Sequence, residues 1–103
     1  MIYVYFKKNP DFQDFKKDQV YTLEDYDCIA KVNTDSLKEA FELTQNISSP
    51  WSTRSYKVTL FPYSPHNYRS SSIGDIFEKG GLFGVQGVGF VSLGLSPTNM
   101  HIS

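Results

Sequence analysis

Residue types found in hydrolytic triads occur together in one short stretch of this sequence, which contains Ser70, Ser71, Ser72, His66 and Asp75. A working triad also requires a nucleophile held on a strained turn, an oxyanion hole and an oriented base. The sequence carries no signature of these three features. We therefore expect the serines to bond nearby backbone groups, and we predict no catalytic residue.

Metal ligands and cofactor motifs are sparse. His66 and His101 are the only histidines, and Cys28 is the only cysteine. Zinc sites combine several such residues at close spacing. The glycines in GGLFGVQGVG are not followed by a helix whose N-terminus could bind a phosphate. We predict no metal site and no cofactor.

The loop PYSPHNYRSSS carries aromatic and cationic side chains of the kind that recognise partners. Tyr63, His66, Tyr68 and Arg69 lie within it, and aromatic residues and arginine are common at interface hot spots. We predict that these four residues bind a partner. In the alternative interpretation, both tyrosines pack back on the sheet and Arg69 pairs with an acid such as Asp75.

Charge composition favours a protein partner over nucleic acid. Ten basic and eleven acidic residues give a formal net charge of -1, which is not the footprint of a general nucleic-acid or membrane binder. A local basic patch is still an alternative, and its candidate members are Lys7, Lys8, Lys16, Lys17, Lys31, Arg54, Lys57 and Arg69. Neighbouring acids favour a solvated surface, so nucleic acid is the second choice of partner.

Hydrophobic periodicity predicts one helix and several strands. Ser36 and Glu39 form a capping-box pattern at the start of a predicted helix over residues 36–46. Strands are predicted over residues 2–6, 28–32 and 56–61, followed by a hairpin turn at 79–81 and one or two strands within 82–93. Phe12 and Phe15 could belong to one helical turn or to a loop pinned by two aromatics.

These elements predict an α+β fold in which one helix packs on a curved, mostly antiparallel sheet that could close partly into a small barrel. The chain is 40% hydrophobic and long enough for one core. We expect a single domain over residues 1–96 and a flexible tail over 97–103. The predicted core consists of Val4, Phe6, Ile29, Val32, Leu37, Phe41, Val58, Leu60, Ile73, Ile76, Val85, Val88 and Phe90.

The sequence lacks the pattern of a secretory signal or a membrane span. Its first apolar run is shorter than the apolar region of a signal peptide, and the weakly polar stretch 82–95 is short and interrupted by glycines. We expect a cytoplasmic protein that does not bind a membrane.

Five parts of the sequence carry a resemblance to a known family: the helix DSLKEAFELTQN, Trp51, the segment RSSSIGDI, the turn KGG and the closing VGF. Together they resemble the YodL-like domain family of small phage, plasmid and bacterial proteins. The resemblance spans about residues 32–91, and residues 69–76 are its most specific part. It implies a non-enzymatic accessory protein, often encoded on mobile elements, and supplies no catalytic residues. We therefore expect a phage or mobile-element protein that binds a host macromolecule, first of all a protein, and modulates host physiology or defence. A nucleic-acid-binding small barrel is the alternative, and a small hydrolase is the third choice.

Overall fold

The computed structural model describes residues 1–16, 21–46, 50–61 and 69–94. These residues form a six-stranded antiparallel sheet with a helix on one face, as the predicted α+β class requires. The elements in chain order are β1 (Ile2–Lys7), a 3-10 helix (Leu23–Asp25), β2 (Tyr26–Val32), α1 (Leu37–Leu43), α2 (Trp51–Arg54), β3 (Val58–Leu60), β4 (Ile76–Glu78), β5 (Leu82–Val85) and β6 (Phe90–Gly94). The predicted tail lies outside the described residues.

The sheet is open, so the expected partial closure into a barrel is wrong. Its strand order is β3-β2-β1-β4-β5-β6, which leaves β3 and β6 as opposite edges. Closure is not needed to bury apolar surface, because other parts of the chain cover both faces of the sheet. Among the described residues, no helix is long and apolar enough to cross a membrane.

Helix α1 begins where the capping residues predict and ends earlier than expected. The Ser36 hydroxyl accepts the Glu39 N–H at 3.1 Å, which supplies the predicted N-cap. The reciprocal half of the capping box is not formed, because the Ser36 N–H donates to the Thr34 hydroxyl instead. At the other end, the Thr44 hydroxyl donates to Ala40 O at 2.9 Å, and the helix stops there.

The helix-covered face of the sheet carries the larger apolar cluster. Its buried members are Ile2, Val4, Phe6, Ile29, Ala30, Val32, Ala40, Trp51, Phe77 and Val85. Trp51 packs edge-on against Phe6 with ring centroids 6.0 Å apart. Leu37, Phe41, Val58, Leu60 and Phe90 are only partly buried around this cluster, so these predicted core residues form its rim.

The opposite face is covered by the segment between β1 and β2. Phe15 and Tyr26 pack there with Ile76, Leu82 and Leu93. Phe15 therefore pins this segment to the sheet, whereas Phe12, the second aromatic expected to pin the loop, is 55% exposed. A Cβ at Gly84 would lie 2.5 Å from the Phe15 ring, so only glycine leaves room for the ring at that position.

Val88 is the clearest error in the predicted core, because it is 95% exposed. The apolar stretch that follows the Gly80 hairpin folds into two strands joined by a turn, in which the Gln86 N–H donates to Gly89 O at 3.0 Å. Gly89 has a φ of 73°, which glycine adopts without strain. Val88 lies at the tip of this turn and contributes nothing to the core.

Candidate functional site

The predicted recognition loop falls largely outside the described residues. Tyr63, His66 and Tyr68 lie in the undescribed range 62–68, and Arg69 is the one predicted binding residue that the structure describes. Their joint role in binding therefore stays a prediction.

Arg69 forms a bidentate ion pair with Asp75. The Nη1 and Nη2 atoms of Arg69 each donate to one Asp75 carboxylate oxygen at 2.7 Å. Arg69 is 28% exposed and Asp75 only 1% exposed, and the guanidinium carbon lies 4.2 Å from the centre of the Phe6 ring. This geometry matches the alternative interpretation, in which Arg69 pairs with Asp75.

The Asp75 carboxylate also accepts two backbone N–H groups. Lys7 N donates to it at 2.9 Å and Ser72 N at 2.8 Å. The preceding residue, Gly74, has a φ of 97°, as expected for glycine in a tight turn. The carboxylate therefore joins β1 to the turn before β4, and it makes more contacts than the single local hydrogen bond that such a turn would require.

Two of the three serines in the triad-like stretch, Ser70 and Ser71, make structural hydrogen bonds through their hydroxyls. The Ser71 and Thr44 hydroxyls lie 2.6 Å apart, and Gln45 Nε2 donates to Ser71 Oγ at 2.7 Å. The Ser70 hydroxyl accepts the Asn46 N–H at 2.8 Å. Both serines bond the residues that end α1, so this stretch fixes the helix to the sheet.

The same stretch also holds Trp51 in place. The Trp51 indole N–H donates to Arg69 O at 2.7 Å, and its backbone N–H donates to the Asn46 side chain at 2.9 Å. A buried tryptophan needs such a partner for its N–H group. The residues that carry the family resemblance thus have a structural role in the part of the chain that the structure describes.

Several members of the possible basic patch are paired with acids. Lys7 Nζ lies 3.0 Å from Asp11, and Lys57 Nζ lies 3.3 Å from Glu39. Hydrogen bonds from Thr34 and then Lys57 lower the pKa of Glu39. Lys17 and the side chain of Arg54 lie outside the described parts of the chain. No group of three or more potential metal ligands occurs among the residues that the structure describes.

A groove lies beside residues 69–73, on the side of α1 that faces the β5–β6 turn. It has a volume of about 530 Å³ and is lined by Phe12, Phe41, Gln45, residues 69–73 and residues 85–87. A smaller recess of about 170 Å³ shares Phe41 and Val85 with it and extends to Lys38 and Phe90. We refer to the two together as the aromatic groove.

Phe12 stands at the rim of the aromatic groove in a strained conformation. Its φ is 56°, and 55% of its surface is exposed. Positive φ is unusual for a bulky side chain, because Cβ crowds the backbone. Sequence patterns did not single out Phe12 as a functional residue.

Anchors on both sides of Phe12 impose this conformation. The Asp11 carboxylate accepts the Gln13 N–H at 3.2 Å, and a hydrogen bond from Lys7 is the main cause of its lowered pKa. The Asp14 carboxylate accepts the Gly87 N–H from the β5–β6 turn at 2.6 Å. Phe12 is thus held in place between two fixed points.

A scan against protein-family models and searches of curated proteins and solved structures find no match to this chain.

Proposed function

We propose that this chain is a non-enzymatic accessory protein, of the kind encoded by phages and mobile elements, that binds a host protein in the bacterial cytoplasm through the aromatic groove. The predicted binding residues Tyr63, His66 and Tyr68, which precede Arg69 in sequence, are part of this proposal. Binding would modulate host physiology or defence. The observation that carries the proposal is the strained, exposed Phe12 at the groove rim.

Strain at an exposed aromatic is informative, because the fold gains little from burying that side chain. Residues held in unfavourable backbone conformations cost about 1–3 kcal/mol and concentrate at ligand-binding sites. Phe12 is more than half exposed, whereas Phe15 in the same segment is buried. The segment could be pinned by Phe15 alone, so Phe12 is available for contact with a partner.

The lining of the aromatic groove favours a protein over nucleic acid. Lys38 and Arg69 are the cations among its described lining residues, and Arg69 is neutralised by Asp75. Nucleic-acid binding draws most of its affinity from cations that neutralise phosphates. Aromatic side chains with few charges are typical of the centre of protein interfaces.

Affinity capture from a bacterial lysate, with and without nuclease, tests this proposal when a groove variant is included. Gly87→Gln places a long neutral side chain at the part shared by the groove and the recess. A Cβ at Gly87 meets no atom closer than 3.5 Å, so the fold should accept it. Tyr56→Gln is the matched control, because Tyr56 is 92% exposed and precedes β3 at the opposite edge of the sheet.

We expect a captured protein that survives nuclease treatment, is lost with Gly87→Gln and is retained with Tyr56→Gln. Capture should change little with added salt, since few charges are neutralised. Capture that vanishes with nuclease and falls steeply with salt would replace the proposal with the nucleic-acid alternative. Equal capture by both variants would exclude the aromatic groove as the binding surface.

A further inference from the structure

Strand β6 forms an edge of the described sheet and lacks the charges and prolines that usually protect an edge strand against pairing. Among the described residues, no strand pairs with its outer side. Its five residues, FVSLG, contain no charge and no proline. The other edge strand, β3, has only three residues. Edge strands that stay unpaired are usually very short or carry charges or proline, so β6 is the edge suited to accept another strand.

Turn geometry determines which backbone groups of β6 face outward. The Gln86 N–H bonds Gly89 O, and bonded and non-bonded pairs alternate along an antiparallel ladder. Phe90, opposite Val85, therefore belongs to a non-bonded pair, as does Ser92, opposite Phe83. In agreement, the Val85 N–H donates to Asp75 O, away from β6. The N–H and C=O groups of Phe90 and Ser92 thus point to the outer edge.

We propose that β6 pairs with β6 of a second copy of this chain, antiparallel, about a two-fold axis at Ser92. The two copies of Ser92 would then exchange N–H···O=C bonds across the axis. Val91 of each copy would lie opposite Leu93 of the other on the face that both already share. Phe90 would lie opposite Gly94, where no side chain obstructs its ring. The result is a continuous sheet across two copies.

A second copy is the best occupant of this edge because β6 is complementary to itself. When the strand is reversed onto itself, apolar residues oppose apolar residues and the exposed Ser92 opposes Ser92. No like charges meet in the strand, and the net charge of -1 makes the repulsion between two whole molecules small. The shift in pairing register lies at Leu93, between Ser92 and Gly94, so the Ser92 pair at the axis precedes the shift and the flanking pairs with Leu93 and Gly94 include it.

Sedimentation velocity over the micromolar to millimolar range, with charge-swapped variants, tests this pairing. Ser92→Lys places two like charges at the axis, and we expect it to weaken self-association on the order of tenfold. Ser92→Asp should do the same. An equimolar mixture of the two variants should restore the dimer, because each axis then carries opposite charges. Thr59→Lys, an exposed site on β3, is the matched control and should leave the dimer intact.

Wild-type protein that stays monomeric throughout this range would overturn the proposal. Dimers of unchanged strength in both Ser92 variants would place the interface elsewhere and would equally overturn it. Variants that dissociate without recovering in the mixture would contradict the two-fold axis at Ser92. None of these outcomes depends on host-protein capture, so the two proposals can fail separately.

Discussion

At the residue scale, the Asp75 carboxylate joins β1 to the segment 69–75 through three donors, Lys7 N, Arg69 and Ser72 N. A buried carboxylate with this many donors is stabilising only while it remains charged and paired. Removing its charge leaves the Arg69 guanidinium without its counter-ion beside Phe6. An asparagine at this position would also bring an amide N–H₂ group close to the backbone N–H groups of Lys7 and Ser72. These groups are donors themselves and cannot accept a hydrogen bond from the amide.

We predict that Asp75→Asn lowers the free energy of unfolding by about 3 kcal/mol, the usual scale for breaking a buried ion pair from one side. This is larger than the roughly 1 kcal/mol that one local hydrogen bond would be worth. Chemical denaturation measures the difference. Asp35→Asn is the control, because its side chain is 91% exposed and its partner is the N-terminal amine. Equal stability of both variants would show that Asp75 is dispensable to the fold.

At the scale of elements, the contact between β5 and the segment before β2 decides how the second face of the sheet is covered. Gly84 belongs to β5, and the ring of Phe15 occupies the space where a side chain would stand. The backbone of Phe15 is held as well, since its N–H donates to Gln86 Oε1 at 2.7 Å. The ring therefore has little freedom to move away.

We predict that Gly84→Ala destabilises the protein by about 1–3 kcal/mol, because the new methyl group must displace the Phe15 ring. Gly87→Ala is the matched control, since its Cβ would make only ordinary contacts, at 3.5 Å and beyond. Thermal melting of the two variants side by side measures the effect. If Gly84→Ala melted no lower than Gly87→Ala, the packing of Phe15 on β5 would be wrong.

Local patterns in the sequence predicted most of the elements but not the 3-10 helix or α2, and contacts between distant residues could not be predicted from them. The Ser36 cap and the turn at residues 79–81 depend on neighbours in the chain, so the helix start and the hairpin could be placed in advance. The bonds from Lys7 N to Asp75 and from Gly87 N to Asp14 join residues far apart in sequence. Phe12 lies between the local bond from Gln13 N to Asp11 and the distant bond from Gly87 N to Asp14, so the local sequence pattern alone could not indicate its strain.

For the whole molecule, the central claim is that strain at Phe12 serves recognition rather than stability. The two faces of the sheet bury separate apolar clusters, and Phe12 belongs to neither. A residue placed this way can be exchanged without opening the core. Function and fold can therefore be separated at this position.

The most direct measurement is the stability of Phe12→Asn together with its capture of the host protein. Asparagine tolerates positive φ better than phenylalanine, so we predict stability at least equal to wild type, with a gain of up to about 1 kcal/mol. Capture by the same sample should be lost, because the aromatic contact is gone. A variant that captures the partner as wild type does, or that loses stability and capture together, would contradict the account.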